Sequence, residues 1–217
     1  MACAWCSTPI SGRRAGTRFC SKRCWGVAYR FTNTLTAVAV PLGSQPMPAM
    51  TFAYADPPYP GHASDYRDHR DYAGEVDHDH LIGHLAAHYA TWALSTSAVA
   101  LPAVLAICTE LGLEVRVAVW VRGWRPNPNP QGPLSSWEPV VYTGARPGTR
   151  RADSLVYAAR PRLADPGWVQ GAKPAAFAAW LFELLGARPG DTFVDLYPGS
   201  GGMTKAWDHL TANTATQ

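Results

Sequence analysis

The sequence predicts an α/β protein built on a mostly parallel sheet with helices on both faces. Three observations lead there. From residue 51 onward, short β-rich apolar runs alternate with segments of helical period, the order that crossover connections produce. Apolar residues make up 47% of the 217, an ordinary share for a globular core, and no apolar stretch reaches the length of a membrane span. Two of the predicted strands end in rigid, polar turns, Asp56-Pro57-Pro58-Tyr59 and Asp195-Leu196-Tyr197-Pro198-Gly199-Ser200-Gly201. In sheets of this kind ligands bind beyond the carboxyl ends of the strands. With no signal peptide in view, a cytoplasmic setting is expected.

The first thirty residues form a unit of their own. Four of the five cysteines lie there, Cys3, Cys6, Cys20 and Cys24, as two close pairs separated by a loop with Gly12 and Gly16. Two thiolate pairs suit tetrahedral zinc, and so short a segment has little core without a metal. Disulfides or free thiols are the alternative, less favoured in a reducing compartment. All four zinc positions would be sulfur, a structural rather than catalytic site. The same residues carry Arg13, Arg14, Arg18, Lys22, Arg23 and Arg30 and no acid, while the whole chain is only +3, so the remainder is net negative. Such a basic front end attracts polyanions, or simply solubilises the terminus. Residues 31–50 read as a linker, and 51–217 as the main domain.

Along that domain, Thr51–Ala55 reads as a buried strand. Its end is stiffened by Pro57 and Pro58, which fix φ and favour extended backbone, so the Asp56 carboxylate and the Tyr59 ring are held in relation to each other. A carboxylate, carbonyls and a flat ring suit a flat ligand bearing an amino group. Residues 60–79 are acidic and predict a surface loop. His78–Tyr89 has helical spacing of Leu81, Ile82, Leu85 and Tyr89. His80, His84 and His88 share a face, a solvated face rather than a metal site on this weak signal. Trp92–Ser97 predicts a strand, Val99–Leu111 a helix with Cys108 in the core, and Val115–Val121 a strand. The Pro/Gly-rich 123–136 excludes regular structure, and Trp137–Thr143 is expected to return antiparallel. Residues 144–172 hold Arg146, Arg150, Arg151, Arg160 and Arg162, a residue type suited to phosphate. Lys173-Pro174 opens a helix with Phe177, Trp180, Leu181, Leu184 and Leu185 on its apolar face, closed by Gly186. Thr192–Leu196 is the last strand, and the glycines after it permit close backbone approach to a ligand or merely a tight turn. They match neither the dinucleotide fingerprint nor a P-loop.

The two strand-end motifs together resemble the amino-directed DNA methyltransferases that use S-adenosylmethionine (SAM). The D/N/S-P-P-Y catalytic motif corresponds to Asp56-Pro57-Pro58-Tyr59, and the D-x-F-x-G-x-G cofactor motif to Asp195 through Gly201, with Tyr197 for the usual Phe. Lys173-Pro174 with Phe177 resembles the segment preceding the cofactor strand, and Trp137-Glu138-Pro139 a segment seen earlier. The catalytic motif comes first, as in permuted, beta-type members, and the pattern is similar to small bacteriophage-encoded ones. The resemblance covers roughly residues 51–205. It implies a Rossmann-like methyltransferase sheet, shortened after the glycine turn, where family members usually place a ribose-binding acid.

It also implies roles. Asp56 and the Pro57 carbonyl would accept from the exocyclic amine of an extruded base, adenine N6 preferred, and Tyr59 would stack on it. Pro58 completes the motif. Asp195, Tyr197, Gly199, Ser200 and Gly201 would hold SAM, with Lys173 near its carboxylate and Phe177 lining the same pocket. Double-stranded DNA is the expected partner, touched by the cysteine module and the 144–162 arginines. The shortened sheet would stand alone, form a homodimer or be completed by a partner, and no membrane is involved. Alternatives are cytosine N4, RNA or a modified base as target, and a non-enzymatic zinc-containing nucleic-acid binder on a degenerate scaffold.

Overall fold

The computed structural model describes residues 48–68, 72–123, 135–158 and 172–214. The four-cysteine segment, the linker up to residue 47, Arg160 and Arg162 lie outside the described residues. In chain order the elements are β1 (Thr51–Ala55), α1 (His78–His88), β2 (Thr91–Ser95), α2 (Leu101–Glu110), β3 (Val115–Val121), β4 (Trp137–Thr143), β5 (Ser154–Val156), α3 (Ala175–Leu185), β6 (Thr192–Asp195) and α4 (Gly202–Thr214). A 3₁₀ turn at Ala63–Tyr66 follows β1.

The strands form one six-stranded sheet in the order β5-β3-β4-β2-β1-β6. β1 pairs in parallel with β2 and β6, and β3 with β5, whereas β4 runs antiparallel to both β2 and β3. The sheet is therefore mixed, with three of its five pairings parallel. β4 follows β3 directly in the order of described strands and pairs with it antiparallel, the arrangement open to consecutive strands that are not joined by a crossover. The antiparallel return of 137–143 matches the sequence reading.

Alternation along the strands sorts two cores. Phe52 and Tyr54 of β1, Trp120 of β3, and Val140 and Tyr142 of β4 point to one face, where α3 and α4 cover them with Phe177, Trp180, Phe182 and Trp207. Ala53, Ala55, Trp92, Leu94 and Val141 point to the other, beneath Leu81, Ile82 and Leu85 of α1 and Val104 and Cys108 of α2. Period two in the strands and period 3.6 in the helices produce this three-layer arrangement. α1 begins at Asp77, whose side chain accepts from the His80 N–H at 2.9 Å, a favourable N-cap.

α3 departs from the amphipathic expectation: nine of its eleven residues are buried. The sheet and α4 cover one side, and the segment after β4 covers the other. There the Trp180 indole donates to the Ala152 carbonyl at 3.0 Å, and Arg151 pairs with Glu183 at 3.0 Å. At the helix end Gly186 has φ 70°, and a side chain there would run into Thr149 Oγ1 and Arg146 Cβ (2.8 Å). Only glycine fits both demands.

Arg146 corrects an expectation. It was read as a nucleic-acid contact, yet it is buried against Asp191, with Nη2 donating to Oδ1 at 2.6 Å and Oδ2 at 2.7 Å. Its other nitrogens donate to the carbonyls of Gly186 and Pro48. Asp191 also accepts from the backbone N–H of Met50 and Arg188. The cluster ties the amino ends of β1 and β6 to the end of α3, and its guanidinium has no face left for phosphate. Arg150 and Arg151 are exposed.

Candidate active site

β1 and β6 lie side by side with Tyr54 opposite Asp195, and the Leu196 N–H donates to the Tyr54 carbonyl at 3.0 Å. Parallel pairing thus brings both polar strand ends, about 140 residues apart in sequence, to one edge of the sheet. β4 runs the opposite way, so its first residues reach the same edge: Ser95 of β2 faces Val140, and the Thr96 N–H donates to the Pro139 carbonyl. Glu138 is delivered there. The approach to α3 delivers Lys173.

These elements assemble an ion cluster. Lys173 Nζ lies 2.7 Å from Asp56 Oδ2, 2.9 Å from Asp56 Oδ1 and 2.8 Å from Glu138 Oε1. Lys173 and Glu138 are each only 5% exposed, whereas Asp56 is 20% exposed and forms the open end. Arg122, just past β3, is a looser outer partner, 3.8 Å from Glu138 Oε2. Lys173 Nζ also sits 5.9 Å from the centre of the Phe177 ring, within cation–π range.

The electrostatics follow from burial and from two carboxylates sharing one ammonium. Burial pushes Asp56 up, Lys173 opposes it, and the charges of Glu138 and Asp195 add to the rise, so its pKa moves from 3.8 to about 6. Burial pulls Lys173 down, but Asp56 and Glu138 more than reverse it and the ammonium is held above its ordinary value. Tyr59, which follows the two prolines, and Tyr66 of the 3₁₀ turn are both raised by burial and by the Asp56 charge. Tyr54, wholly buried, hydrogen-bonds Ser95 across the strand ends at 2.7 Å.

Beside this cluster lies the glycine turn. Thr204 Oγ1 donates to Asp195 Oδ2 at 3.1 Å, while Asp195 Oδ1 is buried with no hydrogen-bond partner among the described residues. Burial raises Asp195, opposed by the Thr204 hydroxyl and by the Tyr197 and Thr204 N–H groups. Gly199 and Gly201 have φ of 47° and 70°, a backbone that side-chain-bearing residues resist. A Cβ on Gly202 would come within 3.4 Å of the Lys173 carbonyl and Ser200 Oγ, so the turn packs directly on the segment holding Lys173. Tyr197 is half-buried against the α1–α2 side.

Most of the site residues read from the sequence are thus brought to one sheet edge. Two sit differently from their expected roles. The Lys173 ammonium is committed to Asp56 and Glu138 rather than standing apart for a cofactor carboxylate. Phe177 is fully buried, packed on Trp120 and Tyr54, and backs Lys173 from the core. Glu138 had no site role from sequence. Its signal was available: an acid in the apolar strand WEPVVYT, on the same alternation as Val140 and Tyr142. His84 and His88 stack at 4.2 Å, and no group of three or more potential ligands is placed to hold a metal among the described residues. No described helix is long and apolar enough to cross a membrane.

No family model matches the sequence, and no curated protein matches it. Among solved structures, the crystal structure of the M1.HpyAVI–SAM complex is similar, with a TM-score of 0.50 and 16% identity over 84% of this chain and 86% of that one. At that identity the likeness is one of fold.

Proposed function

We propose that this protein transfers a methyl group from SAM to the exocyclic amine of a nucleobase in DNA, with adenine N6 as target. The observation that carries the reading is the adjacency of β1 and β6, which sets Asp56-Pro57-Pro58-Tyr59 beside Asp195 and its glycine turn. The shared fold with a protein solved in complex with SAM supports it.

The residues present fit the cofactor. Asp195 Oδ1 is an unsatisfied buried acceptor next to glycines whose backbone a ligand can approach closely. Asp195, Tyr197, Gly199, Ser200 and Gly201 would hold SAM, which would supply an electrophilic methyl carbon: the new carbon–nitrogen bond would replace the carbon–sulfur bond, whose electron pair stays on sulfur, and the methylated nitrogen would then release a proton to solvent. The chain's own task is placement. Asp56 has lone-pair sites beyond those Lys173 occupies, so it can accept from the target N–H, with the Pro57 carbonyl as second acceptor. Tyr59 offers a ring for stacking on an extruded base. Fixing the amine in line supplies much of the rate. The proposal includes double-stranded DNA as substrate and a structural zinc on Cys3, Cys6, Cys20 and Cys24, supported by their paired spacing.

The test is to incubate the full chain with SAM and DNA, digest to nucleosides and quantify methylated bases by mass spectrometry. N6-methyladenine is expected. N4-methylcytosine would move the target to cytosine, and no methylated nucleoside, with SAM bound, would refute transfer to DNA. Asp56→Ala should abolish transfer while leaving SAM affinity within a few-fold.

A further inference from the structure

Glu138 costs the fold something. It sits on an interior strand, almost wholly buried, on the face that otherwise carries Val140 and Tyr142. A buried charge destabilises by several kcal/mol of desolvation unless paired, and an apolar residue would serve β4 better. Its inner partner is Lys173, and Lys173 is the group that meets Asp56.

The charges facing Asp56 can be named from every packed element. Lys173 precedes α3, Glu138 is on β4 with Arg122 behind it after β3, Asp195 ends β6, and the neutral phenols Tyr54, Tyr59 and Tyr66 come from β1 and the segment after it. With the three carboxylates ionised and both cations charged, the group carries one net negative charge. Without Glu138 it would be neutral, and Lys173 would belong to Asp56 alone.

We propose that Glu138 is a positioning residue: by drawing on one side of the Lys173 ammonium, it keeps Asp56 an incompletely neutralised acceptor at the place where the target nitrogen gains positive charge. This rests on the methyl-transfer reading for what Asp56 does. The coupling from Glu138 through Lys173 to Asp56 stands on distances alone.

The experiment therefore reads the coupling without SAM or DNA. The full chain is labelled with carboxyl-¹³C aspartate, the Asp56 resonance is assigned by its loss in Asp56→Asn, and its titration is followed in wild type and in Glu138→Gln. The isosteric amide removes a negative charge from beside Asp56, so its midpoint should fall by ~0.5 pH unit or more. Arg122→Gln, at a more exposed position, frees Glu138 to draw harder on Lys173 and should move Asp56 upward, which keeps the test informative if the first variant does not fold. In transfer assays Glu138→Gln should shift the acid limb of the rate to lower pH and reduce kcat, with SAM affinity unchanged. An unmoved Asp56 midpoint in the variants overturns the inference and leaves methyl transfer standing. A shifted midpoint in a protein that methylates nothing supports the coupling and refutes the function.

Discussion

Replacing Asp56 with Asn should make the stability difference from wild type depend on pH, moving in favour of the variant as pH rises toward neutrality. The carboxyl pKa is lifted from 3.8 to about 6, so the folded state binds this proton more tightly than the unfolded chain. A raised pKa contributes stability that is fully present below the unfolded value and lost as pH rises through the folded one. The lift of roughly two units corresponds to about 3 kcal/mol at 1.36 kcal/mol per unit. Asn resembles the protonated acid and does not titrate. The difference in unfolding free energy between variant and wild type should therefore be flat below about pH 4, move in favour of Asn by ~3 kcal/mol up to about pH 6, and stay flat above. For a protein of this size that is ~6–12 °C in Tm. Groups remote from the cluster titrate alike in both proteins and cancel, so only the change with pH is read. Denaturant unfolding of both proteins at pH steps from 4 to 8 measures it. A pH-independent gap, or one that favours wild type as pH rises, would refute the assignment of Asp56 as a desolvated, destabilised carboxylate.

On the proposed reading methyl transfer needs the ionised Asp56, so its rate should fall below about pH 6, and a limb near pH 4 would show that the carboxylate is not perturbed during transfer. Arg146→Ala should destabilise by ~3–5 kcal/mol because it leaves Asp191 buried and unpaired, whereas Arg150→Ala, at an exposed site, should change stability by no more than ~0.5 kcal/mol; chemical denaturation distinguishes them. Gly186→Ala forces a side chain into left-handed backbone against Arg146 and Thr149, and should cost about 2 kcal/mol or more in the same assay.

The order of strands and helices was legible because the core strands are short apolar runs with turns at both ends, and Val115–Val121 and Trp137–Thr143 match to the residue. β5 was not legible: three residues, Ser154–Val156, lie in an arginine- and glycine-rich stretch and become a strand only by pairing with Val119–Val121. Both polar strand ends were readable as motifs, and the rule for parallel strands gives the edge at which they emerge, but that β1 and β6 are neighbours is seen only in the strand order. What local sequence does not carry is where a long side chain ends. Arg146 and Arg150 look alike in a basic stretch, yet one is buried on Asp191 and the other is exposed. Lys173 looked like a ligand-binding cation from its motif, while its partners come from two other strands. The burial of Phe182, outside the apolar face that periodicity gives α3, likewise depends on rings from other elements, Phe52, Phe193 and Trp207.

Two aspartates near opposite ends of the same strand pair show what separates a fully paired acid from one that keeps open acceptor sites. Asp191 accepts four hydrogen bonds, two from Arg146 Nη2 and one each from the Met50 and Arg188 backbone, so its charge is well met. Such a carboxylate has little capacity left for another ligand. Among the described residues Asp56 receives Lys173 alone, and Lys173 is divided with Glu138, while Asp195 adds like charge nearby. Its oxygens keep vacant acceptor sites and its charge stays under-compensated. The fold could have paired Asp56 as completely as Asp191, since an arginine serves that purpose only one sheet-length away. On the proposed reading, splitting one ammonium between two carboxylates gives up stability for an acceptor that an incoming N–H would use, as expected where a site is preorganised for a transition state rather than for its own resting state.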